Sequence, residues 1–467
     1  TPNIFFKERI PPFTAGEDVT SAQPQSQEIL ISLEYDSYVR DKQGRRRFMK
    51  MAVAIGGATA LSACLSEANE PVPRGTTDRE SLPSGQHQWN RFLSTDSSGN
   101  HTLPRHHLLF YLTLTKSGIP TQSDRSVVES ALRTIETAYA WRPEGLLFSL
   151  GFSPHYFDRY PTDLPTSVDL PSPRALSDFE SPTFDTQDML LHMASDRPDV
   201  LLTAEEALFG DRDTVNTISI ESRLSEVCQV DDRRSGFVGP GMPANRQDGL
   251  KGIPDSNPVP ESSPLFMGFK TGFRNNQAAE SDVEIQTGPF AGGTTKHVSR
   301  LRMRLDDWYQ ELDHTSRVAK MFSPTHAQEE MVPEVGNSLG TSNGITDRMI
   351  ETIRDDAKSE AVVGHAQKAA RGNRRQDGSI RLLRRHFEST DDNEASLHFP
   401  SLQAAISEFE MVRKAMNGGD ITDIPTIRQR VRNGILEYAF VTNRGNFLIP
   451  LRGVRALPRP DGSVEMR

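Results

Sequence analysis

Apolar positions along the chain alternate between two spacings. His107-Leu108-Leu109-Phe110-Tyr111-Leu112-Thr113-Leu114 is a leucine-rich and aromatic run that predicts a strand. From Ser123 to Tyr139 the apolar residues Val127, Val128, Leu132, Ile135 and Ala138 fall at helical spacing. Gly145 to Phe152 and Asp188 to Met193 predict two further strands, and Ala204 to Leu208 opens a second helix. Together they give a βαββαβ unit with an antiparallel sheet. The pattern then recurs. Leu265 to Phe269 is apolar; Thr294 to Leu305 alternates as a strand does; Asp306 opens a helix through Trp308 and Leu312. Leu397 to Leu402 and Ile435 to Val441 predict later strands, with a helix from Leu402 to Met416 between them. The Pro/Gly-rich stretch Pro240 to Pro264 predicts a connector, and Phe322 to Asn343 a long loop. The expectation is an N-terminal half over 101–239, a connector over 240–264 and a C-terminal half over 265–457.

The first hundred residues follow neither spacing. Gly44-Arg45-Arg46-Arg47-Phe48-Met49-Lys50 resembles a twin-arginine export motif. An apolar run, Met51 to Ala60, follows; Leu61-Ser62-Ala63-Cys64 resembles a lipobox whose Cys64 would carry lipid. The run falls short of the roughly 20 apolar residues a span requires, so 45–64 is expected to be a signal. Residues 1–44 are an upstream extension or a long leader. Residues 65–100, rich in Ser, Thr, Pro, Gly and charge, are expected to be a disordered tether.

Composition narrows the function classes. A chain of 467 residues with mean hydropathy −0.54, 33 Gly and 31 Pro is loop-rich and long enough for a sizeable core. A net charge of −10 argues against a nucleic-acid surface, which would be basic. Two cysteines, Cys64 and Cys228, support neither a disulfide framework nor a zinc cluster. No phosphate-binding Walker loop occurs, His106-His107 alone does not define a metal site, and Gly292-Gly293 lacks a dinucleotide-fold context.

The candidate chemistry lies in three segments. His365 offers an imidazole of the kind that commonly holds haem iron. Arg384, in Leu382-Leu383-Arg384-Arg385-His386, offers a cation that keeps its proton and can stabilise charge developing as an O–O bond splits. Upstream lies a Gly-rich turn, Gly268-Phe269-Lys270-Thr271-Gly272-Phe273. These segments resemble the dye-decolorising peroxidase family, in which a proximal His precedes an I-L-R-R element and both follow a G-x-x-D-G motif. Asp188-Met189-Leu190-Leu191-His192-Met193 with Ser195-Asp196-Arg197 resembles the family's D-L-L-L-H-I-x-x-D-R strand. Leu397-His398-Phe399 with Gln403 resembles its G-L-x-F-x-x-x-Q segment.

The resemblance implies an α+β fold of two ferredoxin-like halves, of the dimeric α+β barrel type, around haem b. His365 is implied as the iron ligand and Arg384 as the distal cation. Gly268, Phe269, Gly272 and Phe399 are implied around the cofactor. The family's distal Asp is Thr271 here, and a hydroxyl cannot replace a carboxylate as general base; His386 is a candidate substitute. Glu408 or Glu410 is a candidate for orienting His365. The implied activity is peroxidase chemistry with hydrogen peroxide and a small-molecule reductant. The alternative is an exported haem-binding or iron-handling protein with weak or no peroxidase activity; a third reading is a lipoprotein that kept the fold and lost haem. Implied partners are the twin-arginine translocase and, through the lipid alone, the outer face of the cell membrane; a homo-oligomer is compatible with the sequence. Replacing Arg45 and Arg46 by Lys is expected to retain the protein inside the cell, read by cell fractionation; unchanged export contradicts the signal.

Overall fold

A computed structural model describes residues 71–463. The twin-arginine segment and Cys64 lie outside the described residues. The described chain carries two copies of one supersecondary unit. In the first, strands β1 (His106–Leu114), β2 (Leu147–Phe152), β3 (Met189–Ser195) and β4 (Cys228–Phe237) are joined by helices α1 (Gln122–Ala138) and α2 (Pro198–Phe209). Their order across the sheet is β4-β1-β3-β2, all antiparallel. In the second, β5 (Thr294–Met303), the broken strand β6 (Leu383–Arg384) and β7 (Phe387–Ser389), β8 (Ser396–Gln403) and β9 (Ala439–Ile449) lie in the order β9-β5-β8, with β6 and β7 beside β8. Helix α3 (His365–Asn373) precedes β6, and α4 (Ile406–Asn417) links β8 to β9. Both halves are ferredoxin-like. They meet at Phe152–Leu448 and Phe237–Glu388, so the sheet closes on itself into a barrel.

Closure explains why the strands read as near-continuous apolar runs. Along β1, Leu108, Phe110, Leu112 and Leu114 face the helices, while Leu109 and Tyr111 face the barrel interior. Along β3, Met189, Leu191 and Met193 take the helix side and Leu190 the interior. Both faces of β1 and β3 are buried, the condition under which period-2 polarity disappears. Helix α1 lies on the outer face through Val128, Ala131, Leu132 and Ile135, and starts at a reciprocal cap between Thr121 and Asp124.

Four expectations are corrected. Within the stretch expected to be a tether, residues 71–100 pack against the barrel: Trp89 is 1% exposed, and the Gln86 amide bonds Leu150 and Pro450. Strand β4 escaped the pattern because it carries Asp231-Asp232-Arg233-Arg234, whose arginines pair with Glu205, Asp185 and Asp232. The last strand lies over Ala439–Ile449 rather than from Ile435; its polar stretch Thr442-Asn443-Arg444-Gly445-Asn446 masks it, yet Arg444 and Asn446 are buried on Glu180 and His297. Helix α4 begins at Ile406, because β8 holds the chain extended through Gln403.

The barrel interior holds a buried polar chain. His107 Nε2 is 2.9 Å from the Pro104 carbonyl, so it is the protonated nitrogen. His107 Nδ1 therefore accepts from His192 Nε2 at 3.0 Å, and His192 Nδ1 accepts from Lys296 Nζ at 3.4 Å. Lys296 also donates to Ser149 Oγ at 2.7 Å. Burial, with Arg385 adding repulsion, pulls the Lys296 ammonium down to about 7. Burial likewise takes His107 down to about 3. Between pH 7 and about 10.5 the unfolded chain holds a proton on this lysine that the folded chain releases. Folded stability relative to Lys296→Met is therefore expected to rise with pH across that window, read as urea midpoints of both proteins. A pH-independent difference between them would contradict the assignment.

Candidate functional site

Residues 383–389 and their partners on β8 settle which side chains meet. Arg384 pairs with Ser401 and Phe387 with His398, an unbroken register. Successive side chains leave a strand on opposite faces. Leu383 and Phe387 take one face, and Phe387 belongs to the barrel interior with Leu109 and Val298. Arg385 stands over the Trp89 ring and pairs with Glu280. Arg384 and His386, with Phe399 from β8, take the other face, toward α3 and α4.

His365 enters from that helical layer. It is the first residue of α3, set by Gly364 as N-cap; a Cβ on Gly364 would come within 1.7 Å of the Phe322 carbonyl. The Gln367 side chain accepts the Gly364 N–H at 3.0 Å and donates to the Met349 carbonyl and Asp356. Gly434 lies against the same turn, at a φ of +63°. The start of the helix is therefore fixed in position and direction.

His365, Arg384 and His386 act on one another electrostatically. Burial lowers the His365 imidazole to about 3, with Lys368, Arg384 and Arg413 adding repulsion. Burial lowers His386 to about 3, with Arg384 and His365 adding to it. Both rings are therefore neutral at physiological pH. Burial also draws the Arg384 guanidinium down to about 10, so it stays charged. Its protein contacts are neutral: Gln277 Oε1 accepts the Arg384 backbone N–H at 3.0 Å and Nε–H at 3.3 Å, and the Asn276 carbonyl lies 3.5 Å from Nη2. No carboxylate pairs with Arg384 among the described residues. The His365 ring makes no hydrogen bond among the described residues, and His386 Nδ1 is buried without a partner.

Arg384 and His365 each keep part of their surface accessible. Phe399 stacks on His386 at 5.9 Å and, with Leu301 and Leu397, is only partly buried beside the same region. The arrangement is an uncompensated cation and two neutral imidazoles beside partly exposed apolar side chains. An unpaired buried charge is costly, and the anion or ligand that would relieve it is not supplied by the chain.

Other expected site residues make no hydrogen bond to this cluster among the described residues. Phe269, expected beside the cofactor, packs in the core against Trp308 and Phe322. Gly268, at φ +85°, allows close approach to Tyr309, and Gly272, at φ +79°, turns the chain. Thr271 makes no hydrogen bond to Arg384, His365 or His386 among the described residues. Neither carboxylate proposed to orient His365 does so: Glu408 pairs with Arg375 and Arg381, and Glu410 with Arg174. Gln277 was not anticipated. It follows the Gly-rich turn by a few residues, and nothing in its local pattern separates it from an ordinary loop glutamine.

Comparison with known proteins agrees with the architecture. A dye-decolorizing peroxidase from Bacteroides thetaiotaomicron superposes with a TM-score of 0.50 at 12% identity, covering 78% of this chain and 98% of that one. A variant of DypB from Rhodococcus jostii in complex with heme gives 0.50 at 14% identity over 80% and 98%. A further crystal form of the Rhodococcus jostii protein gives 0.50 at 17% identity over 76% and 96%. At these identities the likeness is one of fold. No curated protein matches the sequence. A family model matches residues 104–451, which span both halves of the barrel. The chain thus belongs to DUF7405, a family of unknown function, and carries it on the fold of the dye-decolorising peroxidases.

Proposed function

We propose that this protein binds haem b between the outer face of β6–β8 and helix α3, and that it oxidises a small reductant slowly with hydrogen peroxide. The observation that carries the reading is the unpaired Arg384 beside two neutral imidazoles, His365 and His386. The residues fit the group. Haem would need only one side chain from the protein as an iron ligand. His365, neutral and without a hydrogen bond, would be that ligand. The structural relative from Rhodococcus jostii holds heme, which supports the reading.

The bound cofactor would supply redox-active iron. The chain's own part is positioning and charge. Gln277 and Asn276 fix the Arg384 guanidinium, which keeps its proton and can stabilise negative charge developing on a peroxide oxygen. Thr271 offers no base. His386, with a buried and unpartnered Nδ1 close to Arg384, is a group able to accept a proton; burial and the Arg384 charge make it a weak one. We further propose export through 45–64 with lipid on Cys64, supported by the series of motifs alone.

Two outcomes are expected. His365→Ala should lose stoichiometric haem binding while the far-UV circular dichroism stays that of the wild type; a histidine-ligated spectrum in that variant would remove the assignment. Thr271→Asp should speed the reaction with hydrogen peroxide by about 10²-fold or more, the usual contribution of an acid–base group, read by stopped-flow absorbance. Equal rates in the two proteins would make the missing carboxylate irrelevant.

A further inference from the structure

Strand pairing with Ser401 fixes the Arg384 backbone but not the direction of its side chain, which several rotamers could take. That direction is set by two neutral acceptors, Gln277 Oε1 and the Asn276 carbonyl. Gln277 also closes on the strand itself. Its Oε1 accepts the Arg384 N–H at 3.0 Å, and its Nε2 donates to the Arg384 carbonyl at 3.2 Å. Both holding residues belong to one short stretch, the turn Arg274–Asn276 and the residue that follows it. A shift of that turn therefore carries the guanidinium with it.

The turn is held from the N-terminal segment that packs on the barrel. Asn100 is 2% exposed. Its Oδ1 accepts the Arg274 N–H at 2.8 Å, and its Nδ2 donates to the Gly340 carbonyl at 2.8 Å. Gly340 opens a second loop that grips the same turn. The Thr341 carbonyl accepts the Asn275 N–H at 2.9 Å, and Asn276 Oδ1 accepts the Asn343 N–H at 2.8 Å. One carboxamide thus ties the turn to the loop that braces it. Asp96 orients that carboxamide: it accepts from Asn100 Nδ2 at 3.0 Å and from the Ser98 and Asn100 N–H groups at 2.9 and 3.0 Å. It also pairs with Lys270 of the Gly-rich turn at 2.7 Å. Glu280 makes a parallel link for the neighbouring arginine, accepting from the Trp89 and Asn90 N–H groups and from Arg385 Nη2.

We propose that Asn100, oriented by Asp96, is a positioning residue for Arg384, so that residues 96–100 belong to the site. The chain of contacts runs from Asp96 through Asn100 to the Arg274 N–H, and from that turn through Gln277 and Asn276 to the guanidinium. The groups that touch Arg384 are neutral, so they fix its direction without cancelling its charge. Direction matters for such a group, because a misplacement of about 1 Å can cost on the order of 10²-fold in rate. The inference rests on the reading of Arg384 as the cation that faces peroxide.

Two measurements on the full chain test it. In the protein without haem, hydrogen exchange at the amides of 274–277 is expected to quicken about tenfold in Asn100→Ala, the change that loss of one hydrogen bond of ordinary strength gives. Lys270→Met, which breaks the Asp96 ion pair and leaves the buried Asn100 in place, is expected to quicken the same amides by less; it guards against a folding defect in Asn100→Ala. In the ferrous protein with haem b and carbon monoxide, a cation beside the ligand lowers the C–O stretch. Asn100→Ala is expected to move that infrared band toward its position in Arg384→Ala, with the Soret spectrum unchanged, and Lys270→Met to move it part of the way. Wild-type exchange at 274–277 in both variants, or a wild-type C–O stretch in both while Arg384→Ala shifts it, would overturn the inference and leave the reading of Arg384 standing. A C–O stretch that ignores Arg384→Ala, or a wild-type chain that takes up no haem, would remove that reading and this inference with it.

Discussion

The alternation of side chains along residues 383–389 is the constraint on which the rest depends. Pairing with β8 fixes its register, and a slip of one residue would exchange the two faces. In the observed register Arg384 and His386 look out toward α3, while Phe387 fills the barrel interior with Leu109, Leu190 and Val298. Two adjacent arginines thus have different fates. Arg385 is neutralised by Glu280 and lies over Trp89. Arg384 is held by neutral oxygens and keeps its charge. Barrel closure reinforces the choice, because Glu388 must also pair with Phe237 to join the halves.

Burial of charge without a partner recurs in three places. Lys296 inside the barrel, Lys368 behind His365 and Arg384 before it are each held by neutral acceptors. Burial loosens the proton on Lys296 and on Lys368 alike, whereas Arg384 keeps its own. Glu388 is the acidic counterpart: buried, with one oxygen unpartnered, its carboxyl is pushed up to about 8 by desolvation. Groups of this kind lower stability, and proteins concentrate them where chemistry or binding occurs.

The sequence disclosed the fold where apolar spacing dominated. The runs at His107–Leu114 and Asp188–Met193 become β1 and β3, and the spacing from Val127 to Ala138 becomes α1. It concealed β4 and the polar middle of β9, because arginines and asparagines there satisfy themselves inside the structure through partners distant in sequence. Within the site, His365, Arg384 and His386 were legible as residue types in a known order, and the structure brings them within electrostatic reach of one another. The supporting residues were not: Gln277 and Asn276, which hold Arg384, lie on a loop distant in sequence, and no local pattern marks them. Phe269, beside the Gly-rich turn, packs against Trp308 and Phe322 in the same cluster that Leu301 and Leu397 join.

The central claim is the proposal that haem binds between α3 and β6–β8 through His365. A crystal structure of the full chain reconstituted with haem b tests it most directly. The account predicts iron bound by His365 and the macrocycle lying against Phe399, with Arg384 still clear of any carboxylate. Haem lodged elsewhere, or iron held by another residue while His365 stays free, would contradict it.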